Sequence, residues 1–355
     1  MKVVFDKIAS ATKNARVPRE ALLTESVPAK EGQVVAVRIR GSKSVYNTVE
    51  DVHGRMIPLN DGDVVAGVLG SRRALRGYAG VVPDSARPGD LLDVLNLGGV
   101  IGRCTSANIE LGAPLKAEVL GAVLSFPTLG ERLGVPASIT QGAVPWASAL
   151  ARSAPIVYVA GTCMNAGKTF ACGEIIRHLV HRGKRVAAAK LTGVSLLRDT
   201  LSMTDLGAFK SLFFGDAGVV STTEAVSVPV AKGLLNALNA EEPDCLVVEL
   251  GDGILGEYGV QAILADAELM GAGAVHVLCA NDPVAAWGAV ELYAARYGKR
   301  PDILSGPATD NGVGRDFIEG TLKVQAINAR LERERLGAAV ERALFAPEPA
   351  GAETR

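Results

Sequence analysis

Ile156-Val157-Tyr158-Val159-Ala160-Gly161-Thr162-Cys163-Met164-Asn165-Ala166-Gly167-Lys168-Thr169 is the stretch on which the reading of this chain turns. A β-branched run passes into a glycine-bounded loop and then into the amphipathic pattern Phe170 to His181, the order of a strand, a phosphate loop and a helix. In such a loop the backbone N–H groups of Asn165 to Thr169 converge on one spot, and the helix N-terminus adds roughly half a positive charge. The loop is therefore predicted to hold the phosphates of a nucleotide, with Gly161, Thr162, Asn165, Ala166 and Gly167 around them. Lys168 would reach the terminal phosphates, and the Thr169 hydroxyl would sit on a Mg2+ ion bridging phosphate oxygens. Gly167 lets the backbone pass where a Cβ would collide. The bland alternative, a Gly-Lys-Thr in a surface turn, is disfavoured by the strand before it and the helix after it.

Five residues separate Gly161 from Gly167, and Thr162 stands where a phosphate loop ordinarily has glycine. This form, Gly-Thr-x-x-x-Ala-Gly-Lys-Thr, resembles the loop of dethiobiotin synthetase and its relatives among the SIMIBI P-loop proteins. Cys163 occupies the place where the ParA and MinD type carries an additional lysine, so the resemblance does not extend to the dimer-forming ATPase switches.

Downstream, Arg185 to Gly193 reads as a buried strand whose end brings Lys190 and Thr192 to the side where ligands gather in an open parallel sheet. Asp244 to Gly253 is a second such strand. It ends in Glu249, a costly place for a carboxylate unless a cation or hydrogen-bond donors meet it. Magnesium would supply the reason, with a hydrogen-bonded structural role as the alternative. In dethiobiotin synthetase a lysine similarly ends the second strand, and a strand ending in Val-Glu-Gly-Ala-Gly-Gly brings its glutamate to the metal. Val248-Glu249-Leu250-Gly251-Asp252-Gly253 resembles that pattern, with Leu250 and Asp252 as departures; Asp252 would share the ion or act as a base. The resemblance also implies that Asn281, at the end of the strand Ala274 to Ala280, contacts the adenine ring, unless it and Asp282 serve a helix cap. Asp199 and Asp205 would orient a substrate or a metal-bound water, or else cap a helix or face solvent.

Upstream, short strands are expected at 32–40, 63–69, 77–82, 91–95, 99–102 and 117–124, separated by turns such as Asn60-Asp61-Gly62 and Arg87-Pro88-Gly89-Asp90. That spacing suggests a small barrel or sandwich. The glycine cluster Asn96 to Gly102 fits a tight turn or a ligand contact, and Arg72, Arg73 and Arg76 fit a solvated loop or an anion contact across the boundary. The fold class expected is α/β: a β-rich N-terminal domain over 1–125, a proline-containing linker over 126–155, a parallel doubly wound P-loop domain over 156–345, and a disordered tail over 346–355.

The 355 residues carry 37 basic and 38 acidic side chains, so no global field draws the chain to nucleic acid or anionic lipid. No apolar run reaches the roughly 20 residues of a membrane helix, and no secretion signal is evident at Met1 to Asp6, which favours a cytoplasmic location. The five cysteines lack Cys-x-x-Cys spacing, and His178 and His181 fit a helix face better than a metal site. The expectation is an enzyme, a ligase or kinase, that uses Mg-ATP, with GTP as the alternative nucleotide, to activate a small carboxylate or hydroxyl substrate. Lys168, Lys190 and Asp252 would be its catalytic residues. The expected partner is a small molecule, with a homodimer allowed and no membrane or nucleic acid. Lys190-Leu191-Thr192-Gly193 and the motif order also look like a bacterial P-loop family that includes D-glutamate N-acetyltransferase-like proteins and has a β-rich N-terminal domain. That resemblance implies an acyl-CoA-dependent N-acyltransferase using the same loop for the phosphates of CoA. A nucleotide-dependent regulator or metallochaperone, and a polynucleotide 5′-kinase, are the remaining alternatives.

Overall fold

Seven strands pair in parallel in a computed structural model that describes residues 1–128, 130 and 133–345, and their order across the sheet fixes where a ligand can sit. That order is Lys210–Phe213, Val186–Thr192, Cys245–Leu250, Ile156–Gly161, Gly273–Cys279, Ile303–Ser305 and Gln325–Ala326. Every residue of Ile156–Gly161 and of Cys245–Leu250 is buried, as the continuous apolar runs of a sheet covered on both faces require. Alternate side chains feed two cores. Ile156, Tyr158 and Ala160 meet Val230 and Leu234 of the helix Glu224–Asn239 and Val290 of the helix Pro283–Tyr297. Val157 and Val159 meet Ile175 and Leu179 of the helix Lys168–His181 and Leu336 and Val340 of the helix Arg333–Phe345. Truncating one of the buried leucines or isoleucines among these, such as Leu234 or Ile175, to alanine should cost about 2–5 kcal/mol.

From Ile156–Gly161 the chain moves outward to two strands on one side and then returns to insert Cys245–Leu250 beside its start. It then continues on the other side with Gly273–Cys279. The carboxyl ends of the strands around this reversal form the crevice in which open α/β sheets take their ligands.

The residues before 126 form a mixed sheet. Lys116–Ser125, Val34–Arg40, Val64–Leu69, Val100–Ala107 and Leu91–Val94 each pair with the next, and the last pairs back to the first, so the ladder closes into a ring. Val37, Val65, Leu92, Ile101 and Val119, one from each strand, belong to a single buried cluster that fills it. The stretch 126–155 packs along both sheets in its described parts. Val135–Pro136 adds to Lys116–Ser125, the buried Ile139 joins the N-terminal core, and the Trp146 indole donates to the Ala217 carbonyl at 2.9 Å.

Several elements differ from the sequence expectation. The helix begins at Lys168 rather than Phe170, so Lys168 and Thr169 lie in its first turn. The charged stretch Arg198–Asp205 is a helix, and the last strand of the sheet is only the two-residue Gln325–Ala326. The helix Glu224–Asn239 contains Pro229, whose missing N–H breaks the local pattern, and the periodicity does not announce it. The tail expected over 346–355 lies outside the described residues. Among the described residues, no helix is long and apolar enough to cross a membrane.

Candidate functional site

The loop Thr162–Gly167 leaves the sheet at Gly161 and enters the helix through Gly167, whose φ of +96° is a left-handed conformation that favours glycine. A second glycine makes the loop's neighbour fit. At Gly253 a Cβ would stand 2.6 Å from the Thr162 carbonyl oxygen, so the turn after Cys245–Leu250 can press against the loop only without a side chain. The Ile254 amide then donates to the Gly161 carbonyl at 2.9 Å and ties the two together.

The first turn of the helix carries Lys168, which is buried and whose ammonium donates to the carbonyls of Cys163, at 2.8 Å, and of Asp252. Both partners are neutral, which leaves the ammonium charge available to an anion on the loop. The Thr169 hydroxyl donates to Glu249 Oε1 at 3.2 Å. Glu249 is 2% exposed, and its other oxygen is buried with no hydrogen-bond partner. Burial raises its pKa, and the nearby charges of Lys190 and Lys168 only partly oppose this. Lys190, at the end of the neighbouring strand, lies 3.7 Å from Glu249 Oε1 and forms a close ion pair with Asp199. Burial works against its charged form, yet the two carboxylates outweigh it and the lysine pKa is raised.

Lys168, Thr169, Lys190, Glu249 and Asp252 thus come together at the strand ends and line one cleft of about 930 Å³. Both oxygens of Asp252 are buried without a hydrogen-bond partner of good geometry. Burial raises its carboxyl above the ordinary range, with Lys168 and the Leu75 amide pulling weakly the other way. Asn165 and Gly167 line the same cleft, Ala166 is fully buried beneath it, and the Thr162 hydroxyl is buried without a partner. Asn281 takes a different place. Its amide donates to Cys163 Sγ at 2.9 Å while its Oδ1 is buried without a partner, and Asp282 caps the helix Pro283–Tyr297 by accepting from the Ala285 amide at 2.8 Å. Asp199 is the ion-pair partner of Lys190, and Asp205 ends the helix that carries it. His178 bonds Glu341 across two helices at 3.0 Å.

The opposite wall of the cleft comes from the N-terminal half, which supplies Tyr46, Arg72, Arg76, Asn96 and Asn108. Glu50 from that half is fully buried, and its carboxylate accepts the amides of Leu197 at 2.6 Å and Arg198 at 2.8 Å. A carboxylate at a helix N-terminus meets the positive end of the dipole, and here it fixes the helix whose Asp199 holds Lys190. Sequence reasoning does not reach Glu50, nor Tyr258, whose hydroxyl accepts from the Arg73 amide at 3.1 Å. No local pattern marks either residue. Among the described residues no group of three or more His, Cys, Asp or Glu could hold a metal by itself, so an ion at Thr169 and Glu249 would need further ligands from phosphate or water.

No family model matches the chain, and no curated protein matches it. Among solved structures, the signal recognition particle receptor FtsY from Elizabethkingia anophelis aligns with a TM-score of 0.39 at 10% identity, over 57% of this chain and 68% of that one. The cell division protein FtsY from Thermotoga maritima aligns with a TM-score of 0.37 at 14% identity, over 55% and 70%. The signal recognition particle 54 kDa protein from Aeropyrum pernix K1, in complex with GDP, gives 0.36 at 16% identity, over 54% and 49%.

Proposed function

We propose that the chain binds a magnesium nucleoside triphosphate, ATP in the first instance, on the loop Gly161–Thr169. It would transfer or spend the terminal phosphoryl group to activate a small carboxylate or hydroxyl substrate in the cleft. The observation that carries this reading is the Glu249 oxygen, buried at a strand end beside Thr169 and two lysines and lacking a partner. A buried carboxylate oxygen is costly when unpaired, and a divalent ion held jointly with Thr169 is the group that fits it. When bound, the ion would be held by Thr169 and Glu249 and would supply neutralisation of phosphate charge.

The protein's own part would be mostly positioning and electrostatics. The amides from Asn165 to Thr169 would fix the phosphates, Lys168 and Lys190 would balance the charge spread over the transferring oxygens, and Asp252 would accept a proton from the acceptor group. The resemblance to dethiobiotin synthetase supports the same assignment of Thr169, Lys190 and Glu249. Equilibrium binding of ATP, GTP and acetyl-CoA, each with and without Mg2+, tests the reading. Magnesium-dependent binding of ATP or GTP supports it. Binding of acetyl-CoA without magnesium, and of neither nucleotide, would replace it with acyl transfer.

A further inference from the structure

Arg72 sits on the two-residue strand Arg72–Arg73 of the N-terminal half and lines the cleft. It is 3% exposed, and its hydrogen-bond acceptors are neutral: Nη1 donates to the Tyr46 hydroxyl at 2.7 Å and to the Leu95 carbonyl, while Nε is buried with no partner. Its neighbour Arg73 reaches Glu257 at the surface, at 2.7 Å, but no carboxylate among the described residues pairs with Arg72. A buried guanidinium is normally matched to an anion, because taking its charge out of water is expensive. Asp252, on the same cleft, presents the complementary deficit: its two carboxylate oxygens are buried, and beyond the poorly aligned Leu75 amide no donor meets them. Arg72 is near enough to lower the Asp252 carboxyl, although burial raises it overall. Tyr258 feels both groups: burial pushes its hydroxyl up to about 12, with Arg72 opposing and Asp252 adding. A buried cation and a buried anion thus share one cleft without pairing, and a ligand bearing an anionic group and a hydrogen-bond donor would satisfy both.

We infer that Arg72, Tyr258 and Asp252 form the acceptor subsite, and that the acceptor is a small hydroxy acid whose carboxylate rests on Arg72 and whose hydroxyl donates to Asp252. This rests on the reading of the loop as a Mg-ATP site. Lys168 binds the Asp252 carbonyl, so the subsite adjoins the place of the terminal phosphate. The acceptor hydroxyl oxygen forms a bond to the γ-phosphorus, the bond from that phosphorus to the β–γ bridging oxygen breaks, and the hydroxyl proton passes to the Asp252 carboxylate. The products are a phosphorylated hydroxy acid and ADP.

The test uses the full chain with Mg-ATP and reads ADP release and the phosphoester by phosphorus NMR. The acceptors are glycolate, lactate, glycerate and malate, run beside the matching acids without a hydroxyl, the matching alcohols without a carboxylate, and the matching amino acids. Binding of a magnesium-bound non-hydrolysable ATP analogue is measured in parallel on every variant, which checks that each one folds. A hydroxy acid should be phosphorylated and the three comparison sets should not. Arg72→Gln should raise its KM by about 30-fold or more, the cost of leaving one partner of a buried charge pair alone, with analogue binding unchanged. Arg72→Lys should recover part of that loss, and Asp252→Asn should lower kcat. Turnover of the alcohols or amino acids at the same rate, an unchanged KM in Arg72→Gln, or no hydroxy acid phosphorylated by a protein that binds the analogue overturns the inference. Failure of the wild type to bind the analogue overturns the nucleotide reading itself, and the inference with it.

Discussion

Replacing Glu249 by Gln should stabilise the nucleotide-free protein and weaken its hold on magnesium, two effects of opposite sign from one substitution. Glu249 is fully enclosed, one of its oxygens has no partner, and burial raises its pKa, so its charged form is less favourable here than in water. An unpartnered buried group costs about 1–3 kcal/mol, and more when charged. Gln keeps the acceptor for Thr169, 3.2 Å away, but gives up the attraction to Lys190 at 3.7 Å, which takes back part of the gain. The net expectation is a gain of about 1 kcal/mol, or roughly 2 °C in Tm for a chain of this size. Loss of even an outer partner of a metal site costs about 10–100-fold in affinity, so losing a direct ligand should weaken Mg2+ by about 100-fold or more. Thermal unfolding without ligand and calorimetric titration of Mg2+ in the presence of ATP read the two quantities. A variant that melts lower and binds Mg2+ as the wild type does would refute the assignment of Glu249 to the metal.

Glu50→Ala should leave the amides of Leu197 and Arg198 without acceptors at a buried helix start and cost about 2–4 kcal/mol in urea unfolding; a loss under about 1 kcal/mol would show that the clamp between the halves is weak. His276 is buried between Tyr158 and Tyr293 with neither ring nitrogen bonded, and burial, helped by Lys299, takes its pKa from 6.5 down to about 4. The unfolded chain therefore binds the proton first, and stability should fall as pH drops from about 6.5 to about 4, by ~3 kcal/mol in total. His276→Leu should flatten that limb in denaturant titrations across the window, and an unchanged slope would contradict the assignment. Gly253→Ala would drive a Cβ to within 2.6 Å of the Thr162 carbonyl, so nucleotide binding should weaken while the unfolding transition stays cooperative; undiminished affinity would show that the turn does not brace the loop.

The strand, loop and helix around Gly161–Thr169 are legible in the sequence because each is set by neighbours along the chain. A β-branched run, two glycines and a helical period need no distant contact to be recognised. Lys190 and Glu249 are legible for a related reason: each is a charged residue at the end of an otherwise apolar run, a position that a parallel sheet turns toward its ligand edge. Asp282 precedes a proline that opens a helix, and its capping role is equally local. What the sequence conceals is set by contacts between the halves. Glu50 reaches residues 147 and 148 positions away, and the Arg73 amide reaches Tyr258 across 185. The pairing that closes the N-terminal ring joins Leu91–Val94 to two strands at once, which alternation within a strand cannot specify. Asn281 also donates to Cys163 Sγ, a contact with a thiol that no spacing rule brings into view.

The measurement that bears most directly on the account is calorimetric binding of ATP with and without Mg2+ to the wild type and to Lys168→Ala. The arrangement of Lys168 beneath the loop, with Thr169 and Glu249 beside it, predicts binding that requires magnesium and is lost in the variant. Equal binding of ATP by both proteins, or binding indifferent to magnesium, would contradict it.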